Sequence, residues 1–393
     1  KFHKCRKNSW LGMNITILWL LSLPTKPYRV VEYLFYTFAF LHFLLIAQTI
    51  APLLRKSSTT QLNTLSPPFS VIVCAHNEVE NLKKLMPLLL AQQYVDFEII
   101  IVLDRCTDGS AAFMQSVNSA QVLTVEIPAV PDGFNPKKYA LTQGINTARN
   151  EWLLLTDADC RPVADQWIAS FAPYTSEKTE LILGISPYED QPGLISQITA
   201  YETLQTAIHY ISAACQGRAY MGVGRNIAYR KSTFHKTGGF HPFEAVVGGD
   251  DDLLVQKITT PHNTAINFKS DSLTYSSPER KWKGYLKQKT RHLSVGKHYQ
   301  PAVKTAHFIR ASTHGVLWLC FLYLLFSFQG SSRIIVLFGL LILVKGVFFK
   351  KIAFDLGMPF NRIWFPLMDL IYAIFLPLLG VRAMFVKNIR WKK

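Results

Sequence analysis

The chain has 393 residues, 49% of them hydrophobic, and a formal net charge of +16. That length implies two domains, or one domain with membrane segments, and the apolar residues cluster at both ends. The charge suits nucleic acid, anionic lipid or phosphorylated substrates, but no zinc-finger or RNA-binding signature accompanies it, so nucleic acid is not the expected partner.

In chain order, a basic cluster (Lys1, Lys4, Arg6, Lys7) precedes an apolar segment at 10–23. That segment is short for a crossing; a surface helix, a short span and a signal-like region all stay open. Residues 31–54 are long enough to span a bilayer, and Arg55 and Lys56 mark its cytoplasmic side. Residues 57–68 are polar, rich in Ser and Thr, and read as a linker. The stretch 69–74 is a strand, 80–93 a helix with Leu82, Leu85, Met86 and Leu89 on one face, and 97–103 a second strand. A third strand is expected at 121–127, a helix at 139–148, and a buried strand that ends at Asp157. This alternation is that of a parallel sheet with crossover helices. Farther on, 181–186 and 227–230 read as strands and 194–214 as a helix.

Residues 282–299 carry Lys283, Lys287, Lys289, Arg291 and Lys297, with Trp282, Tyr285, Leu286 and Leu293 able to share one face. That is the pattern of a basic helix lying on a membrane surface. Three apolar segments follow at 316–328, 334–349 and 363–386, with Lys345 and Asp369 inside them. Charges in such segments are expensive and call for a pairing role or for snorkelling. Three full crossings place the basic tail (Lys387, Arg390, Lys392, Lys393) opposite the domain, against the positive-inside rule, so one segment is expected to be re-entrant or interfacial. The six cysteines show no C-x-x-C pair and read as buried thiols of a reducing compartment.

Acids recur where strands end. Asp104 follows the second strand, and Asp157 and Asp159 follow the strand 152–157. Ligands of open α/β sheets bind at that edge, and paired carboxylates there suit a hard divalent cation. Gly248-Gly249-Asp250-Asp251-Asp252 leads into a helix, so one of its three acids is a candidate cap.

The order of these motifs resembles membrane-bound glycosyltransferases of family 2. Val71-Ile72-Val73-Cys74-Ala75-His76-Asn77-Glu78 resembles the opening strand and its P-A-x-N-E turn, with Cys74 in place of proline. Asp104-Arg105-Cys106-Thr107-Asp108-Gly109-Ser110 is similar to D-x-x-x-D-G-[ST], and Lys137-Lys138-Tyr139-Ala140-Leu141 to G-K-x-x-A-L with Pro136 for glycine. Thr156-Asp157-Ala158-Asp159 resembles the D-x-D, and Gly249-Asp250-Asp251-Asp252-Leu253 the E-D-x-D-L motif with Gly249 for glutamate. Gln288-Lys289-Thr290-Arg291-His292 resembles Q-x-x-R-W, with His292 for tryptophan.

The resemblance implies an α/β fold of GT-A type, a Rossmann-like mixed sheet flanked by transmembrane helices. Its parts are membrane segments at 1–56, a linker at 57–68, the GT-A domain at 69–280, a basic interfacial region at 281–312 and a transmembrane region at 313–393. It implies inverting transfer from a nucleotide sugar, expected to be a UDP-sugar, to a lipid or glycan, in a plasma or inner membrane with the domain cytoplasmic. Asp250 is the expected base, with Asp251 as its rival. Ala75, Asn77, Glu78, Asp104, Lys137, Asp157, Gln288, Arg291 and His292 are expected at the donor, and Asp159 on Mg2+ or Mn2+. Asn77 and Glu78 can equally be helix caps. A processive polysaccharide synthase is the nearest alternative, and the few spans speak for a simpler enzyme. A non-catalytic protein of the same fold is a further alternative, disfavoured by the intact acids.

Overall fold

The computed structural model describes residues 27–55, 66–327 and 331–386. The apolar segment at 10–23, most of the linker and the basic tail lie outside them. The elements in order are α1 (Pro27–Arg55), β1 (Phe69–Ala75), α2 (Val79–Leu90), β2 (Phe97–Asp104), α3 (Ser110–Ser116), β3 (Val122–Ile127), α4 (Pro136–Thr147), β4 (Trp152–Asp157) and β5 (Cys160–Pro162). Next come α5 (Trp167–Phe171), β6 (Leu181–Leu183), α6 (Leu194–Cys215), β7 (Ile227–Arg230), α7 (Lys231–Lys236), α8 (Asp252–Ile258), β8 (Thr264–Ile266) and β9 (Thr274–Ser276). The chain closes with α9 (Trp282–Val295), α10 (Pro301–Phe326), α11 (Ser332–Asp355) and α12 (Phe365–Phe385).

Seven strands form one sheet in the order β3-β2-β1-β4-β7-β6-β8. β1 to β4 are parallel, as the alternation of strand and helix requires; β7 runs antiparallel to β4 and β6 antiparallel to β7, so the sheet is mixed. Successive side chains face opposite sides. Val71, Val73, Ile99, Ile101 and Leu154 meet Leu82, Leu85, Met86 and Leu89 of α2 on one side. Ile72, Ile100, Val102, Leu153 and Leu155 meet α4 and α6 on the other. Gly144 of α4 lets that helix come down on the sheet, because a Cβ there would lie 2.8 Å from Val102 and 2.9 Å from Ile72. This second core runs on without a break into α11 and α12, through Phe349, Ile352, Phe365 and Met368.

Among the described residues, four helices are long and apolar enough to cross a membrane: α1, α10, α11 and α12. Two expectations need correction. The basic region ends as a helix at Val295, and α10 starts at Pro301 rather than near residue 316. Its first turns look polar because His307, Arg310 and His314 face an internal cavity, so hydropathy undercounts the helix. The apolar side of α9 is also covered by protein. Tyr285 is buried and donates to Glu202 Oε1 at 2.6 Å, and Lys289 pairs with Glu202 Oε2 at 2.6 Å, while Trp282, Lys283 and Lys287 remain exposed. Of the described cysteines, Cys215 is exposed, contrary to the reading of buried thiols.

α12 is held by contacts at both ends. Gly357, just past α11, accepts a hydrogen bond from Tyr275 Oη at 2.7 Å, and Phe365 packs on Tyr201 with ring centroids 5.7 Å apart. At the other end Lys297 Nζ donates to the Val386 carbonyl at 3.4 Å. Lys345 and Asp369 do form a buried ion pair, and His314 and Trp318 each bond Asp369 Oδ2 at 2.9 Å. Tyr201 donates to the same carboxylate, tying α6 to the membrane helices.

Candidate active site

The C-terminal ends of β1, β2 and β4 open on one side of the sheet, and the acidic motif before α8 closes on them. The β1 turn is left-handed at Asn77 (φ 56°), a conformation asparagine tolerates, and Asn77 Oδ1 accepts the Thr107 amide at 2.7 Å. Glu78 occupies the N-cap position of α2 without a side-chain cap; Asp108 serves instead, accepting the Val79 amide at 2.9 Å and the Ser110 hydroxyl at 2.6 Å. The sequence reading had offered Asn77 and Glu78 for that part. Asp104 is fully buried, and Arg105 covers both of its oxygens, with Nε at 2.8 Å and a terminal nitrogen at 2.9 Å. Its main-chain carbonyl holds His76 Nδ1 at 2.6 Å. Ala75 and Asp104 are buried, Asn77 is exposed, and none of the three lines the cavity, whereas Glu78, Lys137, Asp157, Asp159, Asp250, Gln288, Arg291 and His292 do.

Lys137 is the centre of the arrangement. It projects from the first turn of α4, with its ammonium 2.9 Å from Asp250 and 3.3 Å from Asp157. Burial works against its charge, but Asp157, Asp250 and Asp251 outweigh that and hold the ammonium well above its usual value. Burial likewise opposes ionisation of Asp250, yet Lys137 pulls its carboxyl below the ordinary range. Asp251 is differently employed: it caps α8, accepting the amides of Asp252 and Gly224, each at 2.9 Å. Burial and the charge of Asp250 push its carboxyl up. Asp252 is buried against the Tyr299 hydroxyl and is raised further, by burial and then by Asp251. Among the three acids, Asp250 is the one that faces the cavity in ionised form.

Gly248 and Gly249 have left-handed backbones (φ 85° and 72°), and a Cβ at Gly249 would come within 2.9 Å of Leu253 and of Val295. The glycine that departs from the E-D-x-D-L pattern therefore fits a backbone and a packing that leave no room for glutamate here.

Asp157, Asp159 and Cys160 bring their ligand atoms within 4.8 Å of one another. Burial and the neighbouring acids hold the Cys160 thiol protonated, which leaves two carboxylates as the donor set. Asp159 is exposed to the cavity. Hard oxygen donors with an open side fit a cation such as Mg2+ or Mn2+.

Two residues of the wall went unassigned in the sequence. Arg225 lies 4.3 Å over the Tyr188 ring, donates to Ser186 Oγ at 2.7 Å and reaches the Tyr188 hydroxyl at 3.0 Å. The only signal for it was the glycine-flanked loop 222–226, which reads as a turn. The cavity as a whole measures about 1580 Å³. Acids and cations of the domain line it together with residues of α1, α10 and α12.

Residues 67–294 match the family model described as Glycosyltransferase like family 2, more than half of the chain. The chain belongs to glycosyltransferase family 2. Among solved structures, the enzyme is similar to the mannosyltransferase PcManGT from Pyrobaculum calidifontis in complex with GDP-Man and Mn2+. The identity is 16% and the TM-score 0.60, over 91% of this chain and 100% of that one. A weaker likeness, with TM-score 0.40 and 13% identity over 81% of this chain and 89% of the other, is to S. aureus TarS 1-349 in complex with UDP-GlcNAc. No curated protein sequence matches the chain at a significant level. The glycosyltransferase is nucleotide-sugar dependent, and its mixed seven-stranded sheet is of GT-A type.

Proposed function

We propose that the enzyme transfers a sugar, with inversion, from a nucleotide sugar to a lipid acceptor, with the domain on the cytoplasmic face. The observation that carries this reading is the continuity of the cavity. The cavity that holds the acids is also lined by Leu319 of α10 and Leu378, Val381 and Met384 of α12, all of them exposed apolar side chains. Exposed apolar side chains in one cavity with the acids suit a lipid acceptor.

Asp250 is the base. Its carboxylate takes the proton of the acceptor hydroxyl while that oxygen bonds the anomeric carbon and the bond to the nucleoside diphosphate breaks. Attack opposite the leaving group inverts the centre. In the donor-free state Lys137 neutralises Asp250; a bound diphosphate draws that ammonium to itself, and the freed carboxylate becomes the stronger base. Arg291 and Gln288 on α9 close over the donor, and the guanidinium fork suits a diphosphate. His292 and Glu78 complete the donor wall, with the Arg105–Asp104 pair behind it. Asp159, supported by Asp157, would hold Mg2+ or Mn2+, which offsets the charge of the leaving diphosphate.

The test is a titration of the full-length enzyme with GDP and with UDP, with and without MnCl2. Wild type binds one of the two only with the metal, and Asp159→Ala abolishes that binding. Equal affinity in a chelator would show the D-x-D pair to be structural and would overturn the donor assignment.

A further inference from the structure

Arg310 lines the cavity, and among the described residues no acid pairs with it. Arg310 is half-buried in α10, and its Nε is shut off from solvent with no hydrogen-bond partner. Among the described residues no ion pair or hydrogen bond joins its guanidinium to another side chain. The acids of the surrounding walls have partners other than Arg310, although the buried Oδ1 of Asp252 has no hydrogen bond. Glu202 takes Lys289 and Tyr285, Asp252 takes Tyr299, and Asp369 takes Lys345, His314, Tyr201 and Trp318. A buried Nε–H without an acceptor is costly, and an anionic ligand that supplies the acceptor removes the cost.

The neighbours define what that ligand looks like. His307, one turn earlier on the same helix, has its ring 5.1 Å from Tyr220 and 6.2 Å from Tyr299, whose hydroxyl bonds Asp252. His209 on α6 faces the same point: burial first, and then the charge of Arg310, keep its imidazole well below its ordinary value, hence neutral. Tyr299, His307, Arg310 and Leu319 follow one another along the chain and line the same cavity as the acids, as does the exposed Val381.

We propose that Arg310, with His307 and His209 beside it, is the subsite for the phosphate of a phosphate-bearing lipid acceptor. The lipid chains lie along the apolar wall, and a hydroxylated head reaches past the phosphate to Asp250. The planar fork of arginine suits two phosphate oxygens at once, and neutral imidazoles add donors without further repulsion. This inference rests on the proposed transfer to a lipid and narrows the acceptor class.

The experiment compares phosphatidylglycerol with monogalactosyldiacylglycerol, two hydroxylated diacyl lipids of which only the first carries a phosphate. Each is added to the full-length enzyme in detergent micelles, and retained lipid is counted by native mass spectrometry. Wild type retains the phospholipid in preference, by roughly tenfold, the size expected of a charge-assisted hydrogen bond. Arg310→Gln loses that preference, and Arg310→Lys, a single-point cation, keeps a part of it. Lys283→Gln and Lys287→Gln, on the exposed side of α9, leave it in place. No preference in wild type, an unchanged preference in Arg310→Gln, or a preference carried by Lys283 and Lys287 overturns the subsite. So does a loss of metal-dependent GDP or UDP affinity in Arg310→Gln, which would give the guanidinium to the donor. Should Arg310→Gln fail to fold, Arg310→Lys decides, since an unaltered preference there refutes bidentate recognition. A wild type that retains the phospholipid yet binds neither nucleotide sinks the proposed transfer instead and leaves the lipid subsite standing.

Discussion

Asp250→Asn separates the base from the donor site. The substitution keeps the side chain's size and one accepting oxygen but cannot take up a proton. Lys137 sits 2.9 Å from Asp250 and 3.3 Å from Asp157. At an effective dielectric constant of about 20 the two attractions are roughly 6 and 5 kcal/mol before desolvation, so neither acid dominates. The amide variant leaves the ammonium matched by Asp157. The stability loss should therefore stay below the ~3–5 kcal/mol of a buried pair that loses its only partner. The chemical step loses its proton acceptor, a factor of about 10² to 10⁴, or roughly 3–5 kcal/mol in barrier. Single-turnover transfer from a radiolabelled donor at saturation reads the first quantity; titration with nucleoside diphosphate and Mn2+ reads the donor site. Asp251→Asn is the comparator. It weakens a cap shared by Asp252 and Gly224, costing about 1 kcal/mol of stability, and slows transfer by less than tenfold. Transfer at the normal rate in Asp250→Asn would refute the assignment, and a loss of nucleotide affinity in that variant would move the acid to the donor site.

Two further outcomes test the electrostatics of the fold. Lys138 donates to the carbonyls of Phe243 and Val246, and burial lowers its value from 10.5 to about 8. Between those values the unfolded chain binds the extra proton, so stability rises with pH across the window, by about 3 kcal/mol relative to Lys138→Met. A pH-independent difference between the two proteins in unfolding experiments would contradict this. Asp369→Asn leaves Lys345 buried without its anion and should cost about 3–5 kcal/mol, with Lys345→Met in the same chain restoring part of the loss. Thermal unfolding in detergent measures both; an Asp369→Asn protein as stable as wild type would mean the pair is already hydrated.

The sequence by itself determined the parallel half of the sheet, the face of α2 with Leu82, Leu85, Met86 and Leu89, and the acids at the ends of β2 and β4. These follow from local periodicity and from where a strand must stop, and both are written in neighbouring residues. Only the tertiary structure shows how the acids of the run at 250–252 are engaged, because that depends on Gly224 and Tyr299, 27 and 47 residues away from their partners. Asp104 reads as a donor ligand from its motif, and only the fold shows that both of its oxygens accept hydrogen bonds from Arg105. The early start of α10 escaped a hydropathy reading because His307, Arg310 and His314 turn inward, and a one-dimensional average cannot tell an inward polar residue from one in water. The contacts of the two ends of α12 with Tyr201 and Lys297 were not legible in composition either, because they join residues far apart in the chain.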